Sequence, residues 1–154
     1  FTPGRMLELG VFEGKYINDC EDEFPKEWYD NARAAGKLCP RRADPNINLF
    51  EIKSRLSLQE WQERGWIPII DGDPDVRGWF QWYCRYWIGR RIPEFDKKQI
   101  ARWRSFARHR GQIIASIKNM ESKKRPRITE QIKKHRPRQR QALLQWAYDP
   151  FVTR

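Results

Sequence analysis

Cysteine and histidine are scarce in this chain, three of the one and two of the other in 154 residues. Cys20, Cys39 and Cys84 are odd in number and lie 19 and 45 positions apart, which fits neither a disulfide framework nor paired zinc knuckles. With only His109 and His135 beside them, no zinc site, other metal or cofactor is expected. A reducing compartment is the natural reading of unpaired thiols. No apolar run approaches the roughly 18 residues a membrane-crossing helix needs. The opening Phe1-Thr2-Pro3-Gly4 is no charged segment leading into an apolar one, so a signal peptide is not expected either. These absences predict a soluble intracellular protein of the nucleus or cytoplasm. Without an initiator Met, a trimmed chain or a piece of a larger protein is the expectation.

Motifs are missing too. There is no phosphate-cradling glycine loop, dinucleotide fingerprint, nucleophile elbow, paired CxxC or HExxH, so most enzyme classes have no support.

The most informative scarcity is that of acids in the second half. Residues 1–76 carry 10 Lys/Arg against 15 Asp/Glu, a balance of −5, whereas residues 77–154 carry 21 against 5, a balance of +16. From Lys97 to Lys118 no acid occurs at all. Such asymmetry speaks of partners and long-range fields rather than of fold.

What is present favours folding. The 8 Trp, 8 Phe and 5 Tyr supply rigid units for a core, and the chain has the length of one ordinary domain. Thr2 as a cap, Pro3 at the first helical position and Gly10 near the end predict a short helix burying Met6, Leu7 and Leu9. A second helix enters through Pro25 and breaks at Gly36. The segment 39–54 reads as an ordered loop, and Ser57 to Glu60 outlines a capping box for a short helix ending at Gly65. Asp73 or Asp75 can cap a helix that carries Trp79, Tyr83 and Trp87 on one face and stops near Gly89. Asp96 can cap another with Ile100, Trp103, Ala107, Ile114 and Ile117 as its apolar stripe. After a basic stretch over 118–137 that suggests a mobile arm, Pro137 starts a last helix packing through Leu143, Leu144 and Ala147. The prediction is a single, mainly α, compact helical domain with long ordered loops, an acidic half over 1–76 and a basic half over 77–154.

Three clusters could carry chemistry. Residues 77–91 hold six aromatics and four Arg in fifteen positions. Arginine forks pair with phosphate and stack on bases, and aromatic rings offer stacking platforms, so this interleaving suits nucleic acid. The alternative is that Trp79, Tyr83 and Trp87 are core. The second cluster is a ladder of cations running from Arg90 to Arg140, of a kind tolerated where phosphates or an acidic partner neutralise it. Together these predict DNA or RNA binding, with Arg85, Arg90, Arg91, Arg102, Arg104, Arg108, Lys123, Lys124, Arg125 and Arg138 on phosphates and Trp82 or Tyr86 on a base. The third cluster is Glu13, Lys15, Asp19, Asp22 and Glu23, of which Lys15, Asp19, Asp22 and Glu23 are the candidate catalytic groups. It offers a rival, a nuclease- or glycosylase-like enzyme acting on nucleic acid. A scaffold docking an acidic protein is a further alternative.

The strings MLELGVFEGKY (6–16), DEFP (22–25), RGWFQWYCRY (77–86) and RQRQALLQWAYD (138–149) resemble those of a widespread family of small uncharacterised proteins. The resemblance spans most of the chain and implies a self-contained domain, but no mechanism.

Overall fold

Helix formation begins where the capping residues place it. In the computed structural model, which describes residues 1–38, 41–53, 58–65, 72–122 and 134–153, the Thr2 hydroxyl accepts the Arg5 N–H at 3.2 Å and opens α1, Pro3–Glu8. Met6, Leu7 and Leu9 are buried, as the pattern predicts. Pro25 leads into α2, Lys26–Ala34, which turns Trp28, Tyr29 and Ala32 inward. The two helices pack tightly because Gly4 has no side chain. A Cβ there would lie 2.8 Å from Trp28 Cδ1.

Gly10 closes α1 at φ +70°, where a Cβ would sit 2.1 Å from the Ile47 carbonyl oxygen. Both the left-handed conformation and the close approach require glycine. The loop it meets, 41–53, is ordered by its own polar side chains. Asp44 accepts the Asn46 N–H at 2.9 Å to start the 3₁₀ turn Pro45–Ile47. Asn48 accepts the Glu13 N–H at 2.7 Å and donates to the Ile52 carbonyl at 2.6 Å. A second 3₁₀ turn, Asn18–Glu23, follows α1.

The later helices are α3 (Leu58–Glu63), α4 (Trp79–Trp87), α5 (Pro93–Ser105), α6 (Ala107–Ser122) and α7 (Pro137–Gln145). Among the described residues there is no strand, and the seven helices pack in one compact body. No described helix is long and apolar enough to cross a membrane.

Several predicted boundaries shift for identifiable reasons. Gly78, not Asp73 or Asp75, stands at the cap position of α4, because Asp75 is drawn into the interior by two arginines. The predicted long helix after Pro93 breaks at Phe106 into α5 and α6. Ala107 is therefore exposed, and Ile113 rather than Ala107 joins Ile117 inside. Asp96 is not the cap of α5; it sits in its first turn and reaches back to accept the Ile92 N–H at 2.9 Å. Ala147 lies past the end of α7 at φ +57°. The expected arm begins as helix, with α6 continuing to Ser122, and 123–133 lies outside the described residues.

The main core joins α1, α2 and α4 through Met6, Ile17, Phe24, Trp28, Tyr29, Phe80, Trp82 and Cys84, with Leu144 of α7. Ile113, Ile117, Leu143 and Val152 form a smaller one. Each large side chain fully buried contributes about 1.5–3 kcal/mol. Cys20 and Cys84 are free thiols inside the main core. Burial pushes the Cys84 thiol well above its ordinary pKa, and Cys20 adds to the shift. Its thiolate is thus suppressed. A maleimide at pH 8, followed by peptide mapping, is expected to label Cys84 only after denaturant is added; prompt labelling of the native chain would contradict this packing.

Candidate nucleic-acid interface

The aromatic segment 77–91 divides between core and surface, and not as its spacing suggests. Helix α4 buries Trp79, Phe80, Gln81, Trp82 and Cys84, so it is enclosed on most sides and all these rings are needed as core. Trp82 is 3% exposed, and its indole N–H donates to Asp96 at 2.8 Å. In this packing it offers no platform to a base. Tyr86 is half-buried between the Trp82 ring at 4.9 Å and the Arg91 guanidinium, 3.7 Å above its own ring. The ring that faces solvent is Trp87, 51% exposed and assigned by its spacing to the apolar face.

The arginines divide in the same way. Arg77 pairs with Asp19 at 2.5 Å, Arg85 with Glu23 at 2.5 Å and Asp75 at 3.0 Å, and Arg90 with Asp75 at 2.5 Å. Acids of the first half thereby neutralise cations of the second, and Arg85 and Arg90 leave the expected phosphate-binding set. Arg140, counted in the cationic ladder, is fully buried and donates to the carbonyls of His135, Pro150 and Val152.

Past Arg90 the pattern changes. Lys97, Lys98, Arg104, Arg108, Lys118, Lys134 and Arg138 are exposed, and among the described residues none makes an ion pair. On α5, Asp96, Gln99, Ile100 and Trp103 face inward, which leaves Lys98, Ala101 and Ser105 on the opposite side and Lys97 and Arg104, at i and i+7, together on one flank. Arg102 is half-buried on another face, its guanidinium 5.7 Å from the Trp146 ring and 3.3 Å from the Gln99 amide oxygen. Lys123, Lys124 and Arg125 lie outside the described residues.

The acidic cluster does not converge on one point. Lys15 donates to the Arg41 carbonyl at 2.6 Å, Asp19 pairs with Arg77, Glu23 turns to Arg85, and Asp22 is exposed. Lys15 and Asp19 line a groove with Glu21 and Arg33, which pair with each other at 2.5 Å. Among the described residues no group of three or more His, Cys, Asp or Glu side chains is placed to hold a metal ion.

The packing also creates a cavity that the sequence did not announce. Its floor is Trp79 and Phe80 of α4 with Ala142 and Gln145 of α7, all buried; its rim is Phe12, Tyr16, Trp61, Arg102, Phe106 and Trp146, all partly exposed. The volume is about 180 Å³. The walls are fixed by ring packing: Phe12 against Tyr16 at 4.7 Å, Phe12 against Phe80 at 5.0 Å, Trp79 against Trp146 at 4.7 Å and Phe106 against Trp146 at 5.0 Å. The Tyr16 hydroxyl donates to the Arg77 carbonyl, and burial raises its pKa, so it stays protonated. Of the floor residues, Trp79 and Gln145 each keep a covered donor, Nε1 and Nε2, with no partner among the described residues, as do Gln81 Nε2 and Arg140 Nη2 elsewhere. Scattered over five segments of chain, the cavity residues form no motif that spacing could reveal.

No protein-family model, curated protein or solved structure matches the chain.

Proposed function

We propose that the domain binds nucleic acid along the cationic face of α5, α6 and α7, with α1 to α4 as the scaffold that holds it. One observation carries this reading. Acids of the first half take up Arg77, Arg85 and Arg90, while Lys97, Lys98, Arg104, Arg108, Lys118, Lys134 and Arg138 stay exposed without an ion pair among the described residues. Uncompensated like charge destabilises a free protein and is relieved when phosphates approach and their counterions leave. Arg91, planar and already stacked on Tyr86, and the exposed Trp87 ring extend the face toward α4 with groups suited to unpaired bases.

Anisotropy titrations with labelled single- and double-stranded DNA and RNA, between about 50 and 200 mM salt, test the proposal. Affinity is expected to fall steeply as salt rises. Combining Arg104→Glu with Arg108→Glu, both exposed and therefore compatible with folding, is expected to weaken binding roughly tenfold or more and to reduce the salt slope by about two. Affinity that ignores salt or the double substitution, or binding to polyglutamate and not to oligonucleotides, would overturn it.

A further inference from the structure

We infer that the nucleic acid this domain takes is an unpaired strand, one nucleotide of which seats its base on Trp87 and its phosphate on Arg91. The inference rests on the nucleic-acid reading for the polyanion and adds to it the class of strand.

The ring comes first. Trp87 is the one exposed Trp among the described residues, 51% open to solvent, and Ile88 beside it is 47% open. No described ring stacks face to face on Trp87; its one ring neighbour is Tyr83, edge-on at 6.0 Å. A single exposed apolar side chain is ordinary on a protein surface, so the setting of this pair has to decide what it meets.

Charge supplies that setting. The chain leaves α4 through Gly89 at φ +107°, a conformation open to glycine, and Arg91 then folds back over the Tyr86 ring, 3.7 Å from its centroid. Arg91 Nη1 donates to the carbonyls of Tyr86 and Arg90 at 2.6 and 2.7 Å. The Tyr86 carbonyl belongs to the peptide that precedes Trp87, so the guanidinium is held beside the backbone of the exposed ring. No described carboxylate pairs with Arg91, and Lys97 and Lys98 stand exposed in the first half of α5, with Glu94 the one exposed acid between them and Arg91. A planar cation already fixed in place gives up little freedom on meeting a phosphate.

The two groups together distinguish strands. Phosphates of a duplex and of a single strand answer Arg91 alike. The ring does not treat them alike, because a paired base is covered on both faces by its neighbours and shows a protein only its edges. An unpaired base offers a face, and stacking on it needs no particular base.

The full chain is titrated at several salt concentrations with labelled oligo-dT, with an abasic strand of equal length and charge, and with a duplex of equal length. Trp87→Ala is expected to weaken oligo-dT about tenfold while leaving the abasic strand, the duplex and the salt slope unchanged; Trp87→Phe, which keeps a stacking ring, is expected to retain most of the affinity. Arg91→Gln is expected to weaken every strand and to reduce the salt slope by about one. Should Trp87→Ala fail to fold by thermal melting, the unmodified chain decides. Its Trp87 indole N–H NMR signal, identified by its loss in Trp87→Phe, is expected to move on addition of oligo-dT and to stay in place with the abasic strand.

A folded Trp87→Ala that binds oligo-dT as the unmodified chain does, or that weakens oligo-dT and duplex equally, overturns the inference, as does an indole signal indifferent to oligo-dT. Salt-dependent binding that still responds to Arg104→Glu with Arg108→Glu then leaves the cationic face standing without it. Binding to no strand at all removes both. Trp87-dependent binding to vesicles containing phosphatidylserine, with none to oligo-dT, assigns the ring to a lipid surface and likewise overturns the inference.

Discussion

Asp75→Ala is expected to destabilise the domain by about 3 kcal/mol, the lower end of the range for removing one partner of a buried ion pair. The Asp75 side chain is 1% exposed, accepts from Arg85 at 3.0 Å and receives the Arg90 fork at 2.8 and 2.5 Å. Removing it strands the Arg90 guanidinium and leaves Arg85 with Glu23 and the Pro74 carbonyl. Both arginines are about one-fifth exposed, so water recovers part of their hydration, and this places the effect at the lower end. For a chain of this size the melting temperature is expected to fall by roughly 6–12 °C. Asp75→Asn, which keeps the shape and loses the charge, is expected to fall between the two. Oligonucleotide affinity at low salt is expected not to drop, because the substitution frees positive charge. A melting temperature unchanged within about 2 °C would mean that the pair is surface decoration.

Arg140→Met is expected to cost about as much, by a different route. Arg140 has no carboxylate in hydrogen-bonding reach among the described residues. Its Nε donates to the His135 carbonyl at 2.9 Å and its Nη1 to those of Pro150 and Val152 at 2.6 and 3.1 Å. Burial lowers its pKa, yet a guanidinium remains charged at any physiological pH. The charge is thus held by carbonyl dipoles, and it ties the end of the chain to the start of α7. Methionine fills the space and satisfies none of the three carbonyls, each worth about 1–3 kcal/mol when left unmet. A loss of about 3 kcal/mol and faster proteolysis near Pro150 are expected. Arg140→Lys is expected to restore only part, since one ammonium cannot reproduce the fork. If Arg140→Met melts and resists protease as the unmodified chain does, the buried guanidinium is not what anchors the segment.

Asp75 and Arg140 mark where local reading stops. In sequence, Asp75 is a turn residue and Arg140 one cation among many. Each is placed by partners far away or on another element, and a pattern of residue types carries no record of that. Trp82, expected at the surface, is buried and Trp87, expected in the core, is exposed for the same reason. Periodicity says which residues share a face of α4, but not that α1 and α5 pack against it and bury more than one face.

Much of the architecture was nevertheless legible. Thr2 and Pro3 start α1, Pro25 starts α2 and Pro137 starts α7 because caps and fixed φ angles act within one turn of chain. Burial of Met6, Leu7, Leu9, Ile117, Leu143 and Leu144 followed from short-range spacing, and the uneven distribution of charge was visible in the counts. What only the tertiary structure decided is which charges cancel and which cavity remains. Arg77, Arg85 and Arg90 are neutralised by acids as distant as Asp19 and Glu23, and the aromatic cavity draws its rings from five separate segments. Local conformation depends on neighbours in the chain, whereas charge pairing and cavity formation depend on neighbours in space.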